Sequence, residues 1–152
     1  MWRLIVLFLS LSVPICPALA QGCSVSAPAL SFPSYNAFSG NPSTTNTTLT
    51  VGCTSLLMLA ISYEVRLGGG QSGNILGRRL RQASSGNELN YQVYTPSAQV
   101  WGNGTQGQSI SGFFLLGIGY RSATHQITGT IPAGQQVNQG TYNDALVMTI
   151  IY

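Results

Sequence analysis

The sequence predicts an all-β domain, a sandwich or a barrel, and three observations carry that prediction. Apolar residues recur at every second position in several short stretches, clusters of Gly, Pro, Ser and Asn separate those stretches, and no segment after residue 20 sustains a helical period. The clearest alternation is Ile61-Ser-Tyr-Glu-Val-Arg-Leu67. It places Ile61, Tyr63, Val65 and Leu67 on one face and Ser62, Glu64 and Arg66 on the other, because strand side chains alternate with period two.

Taken in order, the chain starts with a short basic region, Met1-Trp-Arg3, then an apolar run over 4–13 and the small-x-small pattern Ala18-Leu19-Ala20. Residues 1–20 are therefore expected to be a signal peptide and 21–152 a single domain with no internal repeat or linker. The apolar run is too short to span a bilayer, so no stable membrane insertion is expected after cleavage. A first strand is expected over 25–32, interrupted at Pro28, with a Ser-, Asn- and Pro-rich loop over 33–45. Leu49, Val51 and Cys53 alternate with polar or small residues as a half-buried strand, and the run 56–60 is too short to establish a helix. After the glycines 68–70, residues 75–81 form a short basic edge-strand candidate, and Leu89, Tyr91 and Val93 alternate as one further strand. Trp101 falls in a Gly-rich loop, 113–118 is apolar, and 126–131 leads through Pro132 toward the last segment.

That last segment, 145–152, has no Gly, Pro or charge. Leu146, Met148, Ile150 and Tyr152 share one face and Ala145, Val147, Thr149 and Ile151 the other, both largely apolar, which predicts a central strand. No further strand follows in this sequence to pair with its free side, so something outside the polypeptide is expected to cover that edge.

Charge narrows the function classes. The chain has no lysine, and after residue 20 only Arg66, Arg78, Arg79, Arg81 and Arg121 stand against Glu64, Glu88 and Asp144. So few cations cannot track a phosphate backbone, and nucleic acid is excluded as a partner despite a sequence pI near 9.0. The one cluster, Arg78-Arg79-x-Arg81, reads as a solvated loop or edge strand. Cys16 leaves with the signal peptide, which leaves Cys23 and Cys53 as an even pair suited to a disulfide in an exported chain. Two cysteines without His or Cys at ligand spacing make no metal site, and no cofactor motif is present.

Catalytic chemistry is scarce. His125, the only histidine, lies in a polar segment with no acid nearer in sequence than Asp144, and is expected at the surface or in a turn. Glu88 and Asp144 are a possible carboxylate pair, but a glycosidase site needs both in one cleft and nothing in the sequence supports that, so no enzyme is predicted. Tyr142, two residues before Asp144, resembles the position of a tyrosine corner, which gives the pair a structural role. Asn46 and Asn103 begin glycosylation-type sequons and also suit turns.

The ordered motifs Cys23-x-Val25, Leu30-x-Phe32-x-x-Tyr35, Cys53, Tyr63-x-Val65-x-Leu67-x-x-Gly70, Arg79-Leu80, Leu89-x-Tyr91-x-Val93-Tyr94, Trp101-Gly102, Ile131-Pro-Ala-Gly-Gln135 and Gly140-x-Tyr142-x-Asp144 resemble the spore-coat-protein-U domain family, which includes pilins of archaic chaperone-usher pili. The resemblance runs from Cys23 to Tyr152. It implies an immunoglobulin-like sandwich lacking its last strand, completed first by a periplasmic chaperone and then by a neighbouring pilin subunit at an outer-membrane usher, and displayed on the cell surface. Leu146, Met148, Ile150 and Tyr152 are then the strand-acceptor face. A donor strand takes about five or six residues, whereas Gln21 and Gly22 span at most about 7 Å. The expected role is therefore an acceptor-only tip or terminal subunit of a pilus or coat. The alternative is a tip adhesin whose loops present Tyr35, Phe38 and Trp101 to surfaces or glycans, and the discriminating feature is whether those aromatics pack inward.

Overall fold

The computed structural model describes residues 22–55, 60–115 and 119–152, which fold as an all-β immunoglobulin-like sandwich. The expected signal peptide, most of the run 56–60 and the end of the apolar run 113–118 lie outside the described residues. Nine strands are described: β1 (Gly22–Ser26), β2 (Ser43–Ser55), β3 (Ala60–Leu67), β4 (Arg79–Arg81), β5 (Glu88–Asn90), β6 (Gln92–Tyr94), β7 (Ile110–Leu115), β8 (Gly119–Ile131) and β9 (Met148–Ile151). One sheet has the order β1-β2-β8-β6, the facing sheet β7-β3-β9, and β4 and β5 form a small hairpin.

The long antiparallel pair β2 and β8 anchors the first sheet, in register from Ser43 opposite Ile131 to Ser55 opposite Gly119. Both strands are rich in Thr, with Val in β2 and Ile in β8, β-branched residues that suit a pleated surface buried on one side. Leu49, Val51 and Cys53 from β2 and Ile127 and Ile131 from β8 meet Ile61, Tyr63, Val65 and Leu67 from β3 in one core, closed by Leu89, Tyr91, Val93, Trp101 and Ile110. The alternation read in 61–67 and 49–53 is thus the inward face. Cys23 and Cys53 lie directly opposite one another in the β1–β2 ladder and form a disulfide with an S–S distance of 2.06 Å. Closing a 30-residue separation stabilises the fold by roughly 3 to 4 kcal/mol through the unfolded chain.

Several expectations are corrected. The last strand is not central: β9 covers only four residues and pairs with β3 alone, at the edge of its sheet. Its two apolar faces divide into a core side, Met148 and Ile150, and an open side with Ile151 43% and Val147 70% exposed. The first strand stops at Ser26 instead of reaching residue 32, and the supposed loop residues 43–45 begin β2. Strand β8 starts seven residues before the expected 126, since the whole length of β2 is available to pair with it. Ala60, at the end of the short run 56–60, starts a strand.

The strand expected through Leu89, Tyr91 and Val93 is two. Between β5 in the hairpin and β6 in the first sheet, the Tyr91 amide donates to Arg78 O at 3.1 Å, and the chain changes sheet there. Of the 75–81 candidate only 79–81 is strand, because Arg78 is drawn into the interior.

Candidate functional site

Residues 27–32 follow β1 without any ladder of their own and run past the unpaired edge of β9. Between them opens a cleft of about 300 Å3. Ala27, Pro28, Leu30 and Phe32 line one wall and Leu146 and Met148 the other, over a floor that includes Leu67, Val93, Trp101 and Ile127. Gly129 on β8 makes the wall possible. A Cβ there would meet the Phe32 ring at 2.8 Å and Leu30 at 3.3 Å, so only glycine lets both side chains settle over the sheet. Phe32 in turn packs edge-on against Tyr91, with ring centroids 6.2 Å apart.

Polar groups frame one end of the cleft. Asp144 accepts from the Tyr91 hydroxyl at 2.7 Å with Oδ2, and from the Gln71 and Ala145 amides, each at 2.8 Å, with Oδ1. Its carboxylate fills the space a Cβ on Gly70 would need, and Gly70 has φ +64°, so this approach requires glycine. Burial first, and then the Asp144 carboxylate, push the Tyr91 phenol well above its usual range.

Beneath lies Arg78, fully buried. Its Nε and Nη2 donate to Gly68 O at 3.0 and 2.8 Å, Nη2 also donates to Trp101 O at 2.7 Å, and Nη1 donates to Gln92 Oε1 at 2.6 Å. Burial lowers its pKa, while Tyr91 and Asp144 oppose that shift. The guanidinium ties the β3 end, the Trp101 segment and β6 together, so the cleft floor is pinned from below. Only the clustered Arg residues were legible in the sequence. Arg79, which bonds exposed Glu88 at 2.6 Å, and exposed Arg81 fit the solvated reading, and Arg78 overturns it.

The expected site residues divide. Leu146, Met148 and Ile150 are partly buried against the core, whereas Tyr152 lies just past β9, is 59% exposed and is not among the residues packed on the core. The Tyr142 hydroxyl donates to Asn138 O, four residues upstream, at 2.8 Å. Trp101 is no surface contact: it is 2% exposed and its Nε1 donates to Val65 O at 3.1 Å. Tyr35 is half-buried, its hydroxyl donating to Pro132 O and accepting from the Gln135 amide. Phe38 alone stands clear, 97% exposed.

His125 is also corrected. It sits within β8 with Nε2 2.8 Å from the Tyr63 hydroxyl, between the sheets, where burial lowers its pKa. Among the described residues no cluster of His, Cys, Asp and Glu has metal-site geometry.

A two-sheet sandwich with an apolar cleft beside an unpaired edge strand defines a class, the immunoglobulin-like domains whose first sheet and last strand leave a gap. A family model described as Spore Coat Protein U domain matches residues 9–149, and the chain belongs to that family. Protein U of Myxococcus xanthus is 36% identical over 108 residues, covering 68% of this chain and 58% of that protein, so this chain spans well under two thirds of its relative. Among solved structures, the fold is similar to a chain in the CsuC-CsuE chaperone-tip adhesion subunit pre-assembly complex from archaic chaperone-usher Csu pili of Acinetobacter baumannii. The TM-score is 0.60 at 19% identity, over 88% of this chain and 40% of that one.

Proposed function

We propose that this protein is an exported structural subunit of a chaperone-usher surface pilus or coat, and that its activity is to accept a strand from another polypeptide. The observation that carries this reading is the cleft between residues 27–32 and β9, apolar on both walls and open along a strand edge. An extended segment entering there satisfies the free amides and carbonyls of β9 and lowers alternate side chains onto Leu67, Val93 and Ile127. Burying about four apolar side chains is worth roughly 6 to 12 kcal/mol at about 1.5 to 3 each, before the cost of ordering the strand. A periplasmic chaperone, an outer-membrane usher and a neighbouring subunit are the partners this implies. The similarity to a chain from a chaperone–subunit complex supports the first and third of them.

The finer role is that of a terminal subunit. With processing after Ala20, only Gln21 and Gly22 precede Cys23, which the disulfide fastens to β2. Such an overhang is too short to donate a strand.

The test uses the chain exported with and without a donor peptide of alternating apolar residues fused after Tyr152 through a flexible turn. The fused chain is expected to be a soluble monomer with a cooperative melt, and the unfused chain to aggregate or be degraded. An unfused chain that is already monomeric with the same melting temperature overturns the reading.

A second reading, contact with external surfaces through loops, loses Trp101 and keeps Tyr35 and Phe38 on the strength of the exposed Phe38 ring.

A further inference from the structure

At the pole of the sandwich where β2 begins and β8 ends, a second cleft of about 560 Å3 lies between the loop 34–38 and the segment 137–142. Its floor is Leu89 and Val137, its sides are the rings of Tyr35 and Tyr142, and Phe38 stands at its rim. The Phe38 turn is closed by hydrogen bonds: the Asn36 side chain accepts from the Phe38 amide at 2.9 Å and Asn36 O accepts from the Ser39 amide at 3.0 Å. Phe38 is 97% exposed on that turn and lines the cleft, so both faces of its ring are open to a ligand there. Both tyrosine hydroxyls are already bonded to backbone, which fixes the rings and leaves their faces to the cleft. The side-chain amides of Asn138 and Gln139 have no partner among the described residues.

No Arg, Asp or Glu lines this cleft. It therefore offers nothing to an anionic or cationic ligand, while aromatic faces match the C–H faces of a pyranose and free amides match its hydroxyls. Its volume falls in the range of about 300 to 1,000 Å3 usual for small-ligand sites. We infer that this polar-rimmed aromatic cleft binds uncharged oligosaccharide, with Phe38 and the Tyr35 and Tyr142 rings as stacking platforms and Asn138 and Gln139 as hydrogen-bonding groups. The inference rests on the second reading, contact through the loops, and is independent of strand acceptance.

The experiment titrates the exported chain fused to the donor peptide after Tyr152, which leaves this cleft untouched, by calorimetry with glucose and N-acetylglucosamine oligomers of about two to four units, a length suited to such a cleft. Polygalacturonate and heparin serve as acidic controls, and adhesion to polysaccharide-coated and plain plastic surfaces is scored in parallel. The expected result is binding of at least one neutral oligomer, weakened about tenfold or more by Phe38→Ala, as for a truncated anchor residue. Asn138→Ala is expected to weaken it too, and both exposed-site variants are expected to melt like the parent. Adhesion lost in Phe38→Ala without any oligosaccharide binding overturns the ligand class and leaves loop contact standing. Preference for the acidic polymers overturns it as well. Absence of both binding and Phe38-dependent adhesion overturns the inference together with the reading beneath it.

Discussion

Arg78 and His125 show how much a single side chain depends on what the fold brings to it. Arg78 is next to Arg79 in sequence, yet one is sealed in and the other is half in water. Replacing Arg78 with Met takes their guanidinium donor from the Gly68 and Trp101 carbonyls and leaves Gln92 Oε1 only the Val93 amide, so unfolding free energy is expected to fall by about 3 kcal/mol or more. Lys is expected to rescue little, because an ammonium cannot reproduce the planar fork. Urea denaturation of the strand-fused protein reads both. His125 carries a pH dependence. Its folded pKa is held down by burial, so the unfolded chain takes up a proton first, near pH 6.5, and the folded one only lower. Stability from this group is therefore level above about pH 6.5, declines as pH falls toward the folded pKa, and is level again below it. His125→Gln keeps a partner for Tyr63 and removes that component. Urea midpoints taken between about pH 5 and 8 should slope less in the variant, and an unchanged slope would assign the titration elsewhere.

At the scale of an element, β9 explains why an apolar run with two apolar faces does not have to be central. Met148 and Ile150 face the core, whereas Ile151 on the same strand and Val147 just before it are exposed. An aspartate at Met148 places an unpaired charge at the cleft and is expected to abolish capture of a donor peptide. The same substitution at Val147, 70% exposed, is expected to leave capture within severalfold of the parent. Fluorescence polarisation with a labelled donor peptide compares them, and equal losses from both would move the acceptor surface away from the core side of β9.

For the whole molecule, the issue is polarity of assembly. Mixed with an excess of a subunit that carries a long N-terminal extension, the protein is expected to add once and to stop growth, and alone it should form no strand-exchanged polymer. Native mass spectrometry counts the additions, and Edman sequencing fixes the overhang. A mature start well upstream of Gln21, or strand-exchanged polymers of the pure protein, would make it a shaft subunit instead.

Much of the fold was readable because alternation is a local property. Leu49, Val51 and Cys53, or Ile61 through Leu67, must share a face in any strand, whatever lies opposite, and an exported chain with two remaining cysteines has only one internal pairing. Motif order likewise carried the family. What only the tertiary structure decided were the questions whose answers depend on residues far away in sequence. The burial of Arg78 needs acceptors from 67–68, 92 and 101, the length of β8 is set by β2, and Trp101 is interior because Val65 O receives its indole. The acceptor cleft itself belongs to neither wall alone: 27–32 shows weak strand pattern and 146–151 strong, and the gap between them exists only once both are laid over the same core. Period-two patterning follows from covalent geometry, but partners, edges and cavities follow from which distant surfaces meet, and no local signal encodes that.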